Sequence, residues 1–186
     1  MSQLLKKSLL TSSIINRGNY PYMIHPLSDG FPLISPDLLT EVVSDLKDKI
    51  EPLTPFDKIV TVEAMGIPIA TLLSKEMNVP FSIIRKRCYG LADEICVQQE
   101  TGYSKSELFI NGIKKNETIV LVDDIISTGG TFSAIIQTLQ AMNVTIKAGF
   151  VIINKGDNAE NIIEKTGVPL YSLVRITIQN NKVLIL

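Results

Sequence analysis

Residues Ile119 to Thr131, reading Ile-Val-Leu-Val-Asp-Asp-Ile-Ile-Ser-Thr-Gly-Gly-Thr, set two carboxylates, three hydroxyls and two glycines behind a short apolar run. Gly129 and Gly130 let consecutive backbone N–H groups turn towards one point. That point falls at the start of a helix whose Phe132, Ile135, Ile136, Leu139 and Met142 recur on one face, so the helix dipole is positive there. A phosphate monoester suits such a cradle, with Ser127, Thr128 and Thr131 adding hydroxyl donors. The loop has neither the lysine nor the spacing of a Walker loop, so hydrolysis of a nucleoside triphosphate is not implied. Asp123 and Asp124 are poor neighbours for a phosphate but good acceptors for paired hydroxyls, which suits a ribose diol beside its own 5-phosphate. Alone, a solvated strand end or a capped turn is commonplace. Joined in order over Asp123–Thr131, the two halves make a sugar-phosphate site.

The elements that must position this loop can be read on either side of it. Ser35 as N-cap and Pro36 at the first helical position open a helix carrying Leu39, Val42, Val43, Leu46 and Ile50 on one face. Lys58–Val62 is a strand, Glu63–Gly66 breaks it, and Ile69, Ala70, Leu73 and Met77 continue at helical spacing. Phe81–Arg85 is a second strand and Thr118–Val122 a third. Thr145–Ile153 is a further strand, Ala159–Lys165 a short helix, and Tyr171–Ile178 with Val183–Leu186 a hairpin through Asn180–Asn181. Strands apolar on both faces that alternate with helices predict a parallel sheet covered by helices, with ligands at the carboxyl ends of the strands. Two stretches read differently: Asn16–Ile34, rich in Gly, Pro and Asn, as irregular but compact, and the polar Arg85–Glu107 as a mobile excursion.

The chain has 186 residues, 45% hydrophobic and 20% charged, with a net charge of −1. That balance predicts one globular domain over the whole length and offers no field to attract nucleic acid. Cys88 and Cys96 read as free thiols of a reducing compartment. Met1–Ser13 has no sustained apolar segment or cleavage site, and no run reaches the ~20 apolar residues of a membrane helix. The expectation is a soluble, cytoplasmic protein with no membrane partner. His25, the single histidine, reads as a packed or surface residue rather than a catalyst.

Asp123–Thr131 closely resembles the phosphoribosyl diphosphate motif of the type I phosphoribosyltransferases, and the resemblance runs from about Tyr20 to the C-terminus. Glu63-Ala-Met-Gly66 is similar to that family's diphosphate loop, Arg85-Lys-Arg87 to its basic segment and Thr101-Gly-Tyr-Ser104 to its flexible catalytic loop. Asn154-Lys-Gly-Asp157 and Ser172-Leu-Val-Arg-Ile176 resemble the xanthine and archaeal hypoxanthine branches. Tyr20-Pro-Tyr22 and His25-Pro-Leu-Ser-Asp-Gly30 resemble the archaeal hypoxanthine enzymes in particular.

The resemblance implies an α/β fold whose parallel sheet is flanked by helices, with a small hood from residues 1–35 and 155–186 and a flexible loop at about 88–107. It implies transfer of phosphoribose from 5-phosphoribosyl 1-diphosphate to hypoxanthine, and to guanine, by a homodimer. The 5-phosphate would lie on Ser127, Thr128, Gly129, Gly130 and Thr131, the ribose hydroxyls on Asp123 and Asp124, and the diphosphate against Ala64, Met65, Gly66, Arg85 and Lys86. Tyr103 and Ser104 would reach the diphosphate from the closing loop, and Mg²⁺ would ride on diphosphate and ribose oxygens without a direct protein cage. Lys155, a pure donor, would meet a base carbonyl and clash with the amino group of adenine, and Asp29 would face another edge of the base.

Two departures bear on this. Adenine-specific relatives usually carry arginine where Met65 stands, which counts against adenine. Human-type hypoxanthine-guanine enzymes carry an acid where Ser127 stands, so the general acid or base is left unassigned. The competing readings are adenine, xanthine or orotate as acceptor, and a non-catalytic regulator that senses phosphoribosyl diphosphate while gripping DNA. For the regulator, Met1–Asn19 is too short to form a helix-turn-helix.

Overall fold

Strands such as Thr118–Ile126, apolar on both faces, can be covered only inside a layered structure, and the chain builds one. The computed structural model describes residues 3–18, 20–101 and 104–186. Helix α1 (Gln3–Leu10) leads into an antiparallel hairpin of β1 (Ser13–Arg17) and β2 (Tyr20–Ile24), then the one-turn helix α2 (Pro26–Asp29) and the long helix α3 (Pro36–Ile50). There follow β3 (Lys58–Val62), α4 (Gly66–Met77), β4 (Phe81–Ile84), the paired β5 (Ile95–Thr101) and β6 (Ser104–Ile110), β7 (Thr118–Ile126) and α5 (Gly130–Ala141). The chain closes with β8 (Thr145–Lys155), α6 (Asn158–Thr166), β9 (Leu170–Gln179) and β10 (Lys182–Ile185).

The main sheet runs in the order β10-β9-β8-β7-β3-β4. Its members are parallel except β10, which returns antiparallel through Asn180 and Asn181, both at positive φ. Two apolar cores flank the sheet. One gathers Leu5, Leu9, Val42, Leu46, Ile69 and Leu73 from α1, α3 and α4. The other gathers Phe132, Ile135, Leu139 and Ile162 from α5 and α6, with Val97, Leu108 and Ile110 from the β5–β6 ribbon. Each fully buried aliphatic side chain contributes roughly 1.5–3 kcal/mol to holding these layers together.

The parallel sheet, its helices and the closing hairpin agree with the sequence reading; four details do not. Asn16–Ile34 is irregular only towards its end, from Gly30 on: Asn16 pairs with Pro21 in the two-stranded β1–β2 hairpin, where a proline costs no central ladder bond. The polar stretch Arg85–Glu107 includes the β5 ladder, in which Val97 is buried while Gln98 faces outward to bond Glu107 at 2.9 Å. That period-two alternation was hidden by its long polar side chains. β7 continues past Val122 to Ile126 because β8 runs on beside it, Asp123 pairing with Val151 and Ile125 with Ile153. On α3, Leu38 is the fully covered residue and Leu39 only partly so.

Candidate active site

The carboxyl ends of β3, β7 and β8 lie side by side, and the residues after each of them face one edge of the sheet. A cavity of about 290 Å³ opens there, with Glu63, Lys86, Asp123, Ser127, Thr128 and Thr131 as its polar lining and Val62, Leu108 and Phe132 among the apolar walls. Gly129 is the N-cap of α5 at φ +81, a left-handed conformation that favours glycine, and a Cβ there would come within 3.0 Å of the Ile162 side chain. Glycine is thus required twice over. Gly130, the first helical residue, also borders a separate hollow of about 260 Å³ on the α6 side of the loop.

Asp123 lines the main cavity, and its Oδ1 accepts the Asp124 N–H at 3.0 Å. Burial pushes the Asp123 carboxyl up to about 6, against the pull of hydrogen bonding from Asp124 and the charge of Lys86. Asp124 is buried behind it, and burial, the adjacent Asp123 and the more distant Asp29 push it well above the usual carboxylate range. The pair therefore resists carrying two charges.

Gly66, the first residue of α4, is set against this pair: a Cβ there would fall 2.1 Å from Thr61 Oγ1 and 2.6 Å from Asp123 Oδ1. Only glycine lets the helix N-terminus approach the carboxylate so closely. The Glu63–Ala64 peptide that precedes it is cis. Glu63 accepts from Arg85 Nε at 2.9 Å and from the Lys86 backbone N–H at 3.2 Å, and these bonds, the Lys86 N–H foremost, hold its carboxyl below the ordinary range. Arg85 also carries the β5–β6 ribbon, exchanging two backbone bonds with Phe109.

A second, smaller cavity of about 70 Å³ adjoins the first, sharing Ile125 and Ser127 with it and adding Tyr20, Tyr22, Met23 and Lys155. Lys155 Nζ donates to Tyr20 Oη at 2.6 Å and to the Pro21 carbonyl at 3.0 Å. Asn158 Nδ2 braces both segments, donating to the Ser127 carbonyl at 2.5 Å and the Lys155 carbonyl at 2.6 Å.

Of the residues singled out from sequence, Asp123, Ser127, Thr128, Gly129, Thr131 and Lys86 gather on the larger cavity, and Ser127 and Lys155 on the smaller. Asp124, Ala64, Met65, Gly66 and Arg85 line neither cavity: Asp124 and Gly66 are buried, Met65 and Arg85 half-buried and Ala64 exposed. The Met65 thioether lies against Gly30 of the hairpin segment, its Cε 3.8 Å from where a Cβ would be. Asp29 has both oxygens engaged, by Tyr22 Oη at 2.6 Å, Ser28 Oγ at 2.7 Å and the His25 backbone N–H at 3.0 Å, and so organises the segment above the smaller cavity. Ser104 begins β6 opposite Thr101. Tyr103 lies outside the described residues. Sequence reasoning gave no role to Tyr20 or Glu63; the aromatic pair around Pro21 and the acid at the end of β3 were the available signals.

An open parallel sheet with a glycine loop at a helix N-terminus and a carboxylate pair at its carboxyl edge is the arrangement of an α/β protein that handles a phosphorylated sugar. The chain belongs to the phosphoribosyl transferase domain family, whose model matches residues 39–179. It is 50% identical over 186 residues to a hypoxanthine/guanine phosphoribosyltransferase of Methanococcus maripaludis, covering 100% of both chains. It is 45% identical over 184 residues to the protein of the same name from Aciduliprofundum boonei, covering 99% of each. Among solved structures, its fold resembles the adenine phosphoribosyltransferases of Thermoanaerobacter pseudethanolicus and Saccharomyces cerevisiae, at TM-scores of 0.74 and 0.75. Both are 19% identical to it; the first likeness covers 92% of this chain and 99% of the other, the second 91% and 97%. At that identity the likeness concerns the fold alone.

Proposed function

We propose that this protein salvages purines, transferring the phosphoribosyl group from 5-phosphoribosyl 1-diphosphate to hypoxanthine, and to guanine, with release of the 5′-monophosphate and diphosphate. The bond from C1′ to the diphosphate oxygen breaks, the bond from C1′ to a ring nitrogen of the base forms, and that nitrogen gives up its proton. The observation that carries this reading is the junction of the two cavities at Ile125 and Ser127: one is lined for a sugar phosphate, the other displays the ammonium of Lys155. The full-length likeness to proteins named for hypoxanthine and guanine supports the same choice of base.

In this reading the 5-phosphate sits on Ser127–Thr131 and the ribose hydroxyls face Asp123, backed by Asp124. The diphosphate leaves towards Lys86, Arg85 and the Ala64–Gly66 backbone, whose cations and amides meet the charge growing on it. Tyr103 and Ser104 close over it and keep water from the electron-poor sugar carbon. The oxygens of Asp123 and Asp124 beside the cavity would suit a hard cation, and Mg²⁺ bound with the substrate would supply charge neutralisation there. Lys155 donates to the carbonyl of a 6-oxopurine and repels the amino group of adenine. Asp29 holds the segment over the base. The enzyme acts in the cytoplasm as a homodimer.

Incubating the purified protein with 5-phosphoribosyl 1-diphosphate, Mg²⁺ and each base in turn, with diphosphate release as the readout, tests the reading. Turnover of hypoxanthine and guanine is expected. Turnover of adenine without hypoxanthine would overturn the role of Lys155, and Lys155→Ala should raise KM for hypoxanthine by about tenfold or more, as loss of a charged hydrogen bond predicts.

A further inference from the structure

The hairpin over the site and the phosphate loop meet at one hydroxyl. Tyr20 Oη lies 2.6 Å from Lys155 Nζ and 2.6 Å from Ser127 Oγ, and the ammonium sits 3.8 Å from the centroid of the Tyr20 ring. An ammonium has only protons to give. Tyr20 Oη must therefore accept from Lys155, which leaves its own proton for another acceptor, and Ser127 Oγ is within reach of it at 2.6 Å. With Ser127 as that acceptor, its own O–H is the one left to donate, and Ser127 lines the larger cavity where an anion would sit. The charge at one end thereby favours one direction for the whole row.

We propose that Tyr20 is a positioning residue: it fixes the direction of the row Lys155–Tyr20–Ser127 and so couples recognition of the base carbonyl to recognition of the 5-phosphate. This rests on the phosphoribosyl transfer reading and adds to it a link between its two subsites. Two of the three ammonium protons are spent on Tyr20 Oη and the Pro21 carbonyl, which aims the third at a base in the smaller cavity. A phosphate accepting from Ser127 polarises the row and makes Tyr20 Oη a better acceptor for Lys155. A carbonyl accepting from Lys155 holds the ammonium in the position that orients Tyr20. Each ligand thus organises what the other needs, and the effect is reciprocal. The carboxamide of Asn158, bonded to the Ser127 and Lys155 carbonyls, keeps the two ends at a fixed separation.

Calorimetric titration of the full chain with ribose 5-phosphate and with hypoxanthine, each alone and each in the presence of saturating amounts of the other, reads the coupling directly. In the wild-type protein the second ligand should bind about tenfold tighter than it does alone. Tyr20→Phe keeps the ring and its contact with the ammonium but removes the hydroxyl, and should bring that ratio close to one, with KM for both substrates raised more than kcat is lowered. Ser127→Ala, which leaves the hairpin untouched, should lose the coupling to the same extent, and the double variant should lose nothing further. Coupling retained in Tyr20→Phe, or losses that add in the double variant, would overturn the proposal while nucleotide synthesis by the wild type continued. A wild-type protein that bound neither ligand and formed no nucleotide would overturn the transfer reading and this inference together.

Discussion

Asp123 is asked to hold a charge where burial resists it, and that conflict has a measurable sign. Its carboxyl is raised from 3.8 to about 6 in the folded protein, so the fold keeps a proton that the unfolded chain releases between about pH 4 and pH 6. Stability of the empty protein should fall through that window, and the loss should persist above it. Asp123→Asn removes the penalty. At pH 7.5 the empty variant should melt about 2–6 °C above the wild type, and the gain should vanish near pH 4. The same change deprives a ribose hydroxyl of an ionised acceptor, so ribose 5-phosphate should bind about tenfold or more weakly to the variant at pH 7.5. Equal melting of the two proteins at pH 7.5 would show that burial carries no such cost. At this scale the residues in Asp123–Thr131 could be read because loop, carboxylates and hydroxyls are contiguous in the chain. The contacts of Tyr20 could not, since they reach positions 107 and 135 residues away and nothing local in a tyrosine marks such a partner.

The hairpin segment is held by a histidine rather than by a large core of its own. His25 is fully buried; its Nδ1 accepts the Leu27 N–H at 3.2 Å and caps α2, so the proton of the neutral ring is on Nε2 and is donated to Ser8 Oγ at 2.9 Å. Ser8 in turn donates to the Leu5 carbonyl on α1. Burial pushes the ring down from 6.5 to about 4, opposed by the charge of Asp29. The unfolded chain binds a proton below about pH 6.5 that the fold refuses until about pH 4, so this contribution is complete above pH 6.5 and is lost as the pH falls through that interval. The slope runs opposite to that of Asp123, which is why the two need separate variants. His25→Ala should cost about 2–4 kcal/mol at pH 7.5, and the difference from wild type should shrink as the pH approaches 4. Calorimetric melting across that range measures both effects. Of the two places the sequence allowed His25, packed or surface, the fold uses the packed one, but the hairpin it supports was not foreseen. Gly18 and Pro21 are breakers in most contexts, and only the pairing of β1 with β2 turns them into a turn and a tolerated edge residue. The β5–β6 ribbon was missed for a related reason: its outward face is polar, and a single buried valine among the described side chains of β5 is a weak strand signal.

Across the whole molecule, alternation of apolar strands with amphipathic helices was enough to specify a parallel sheet with a covered face on each side, because few other layouts bury both faces of Val120–Val122 and Val151–Ile153. What alternation could not supply is the way the N-terminal hairpin folds back over the carboxyl edge, since that depends on contacts between residues far apart in the chain. The consequence is a site whose two cavities are walled by different parts of the protein, the larger by the loop before α5 and the smaller by the hairpin and Lys155. Inosine 5′-monophosphate carries a phosphate for one and a 6-oxopurine for the other, so it should clamp the two parts together and bind only the folded chain. At a concentration of about 100 times Kd such a ligand adds about 2.7 kcal/mol, which for a chain of this size is a rise in Tm of about 5–10 °C. Gly129→Ala should abolish the rise, because the new methyl meets Ile162 at 3.0 Å and φ +81 disfavours any side chain, so the loop proposed to hold the phosphate is displaced. A Tm shift of wild-type size in Gly129→Ala would mean that the phosphate is bound elsewhere than on this loop.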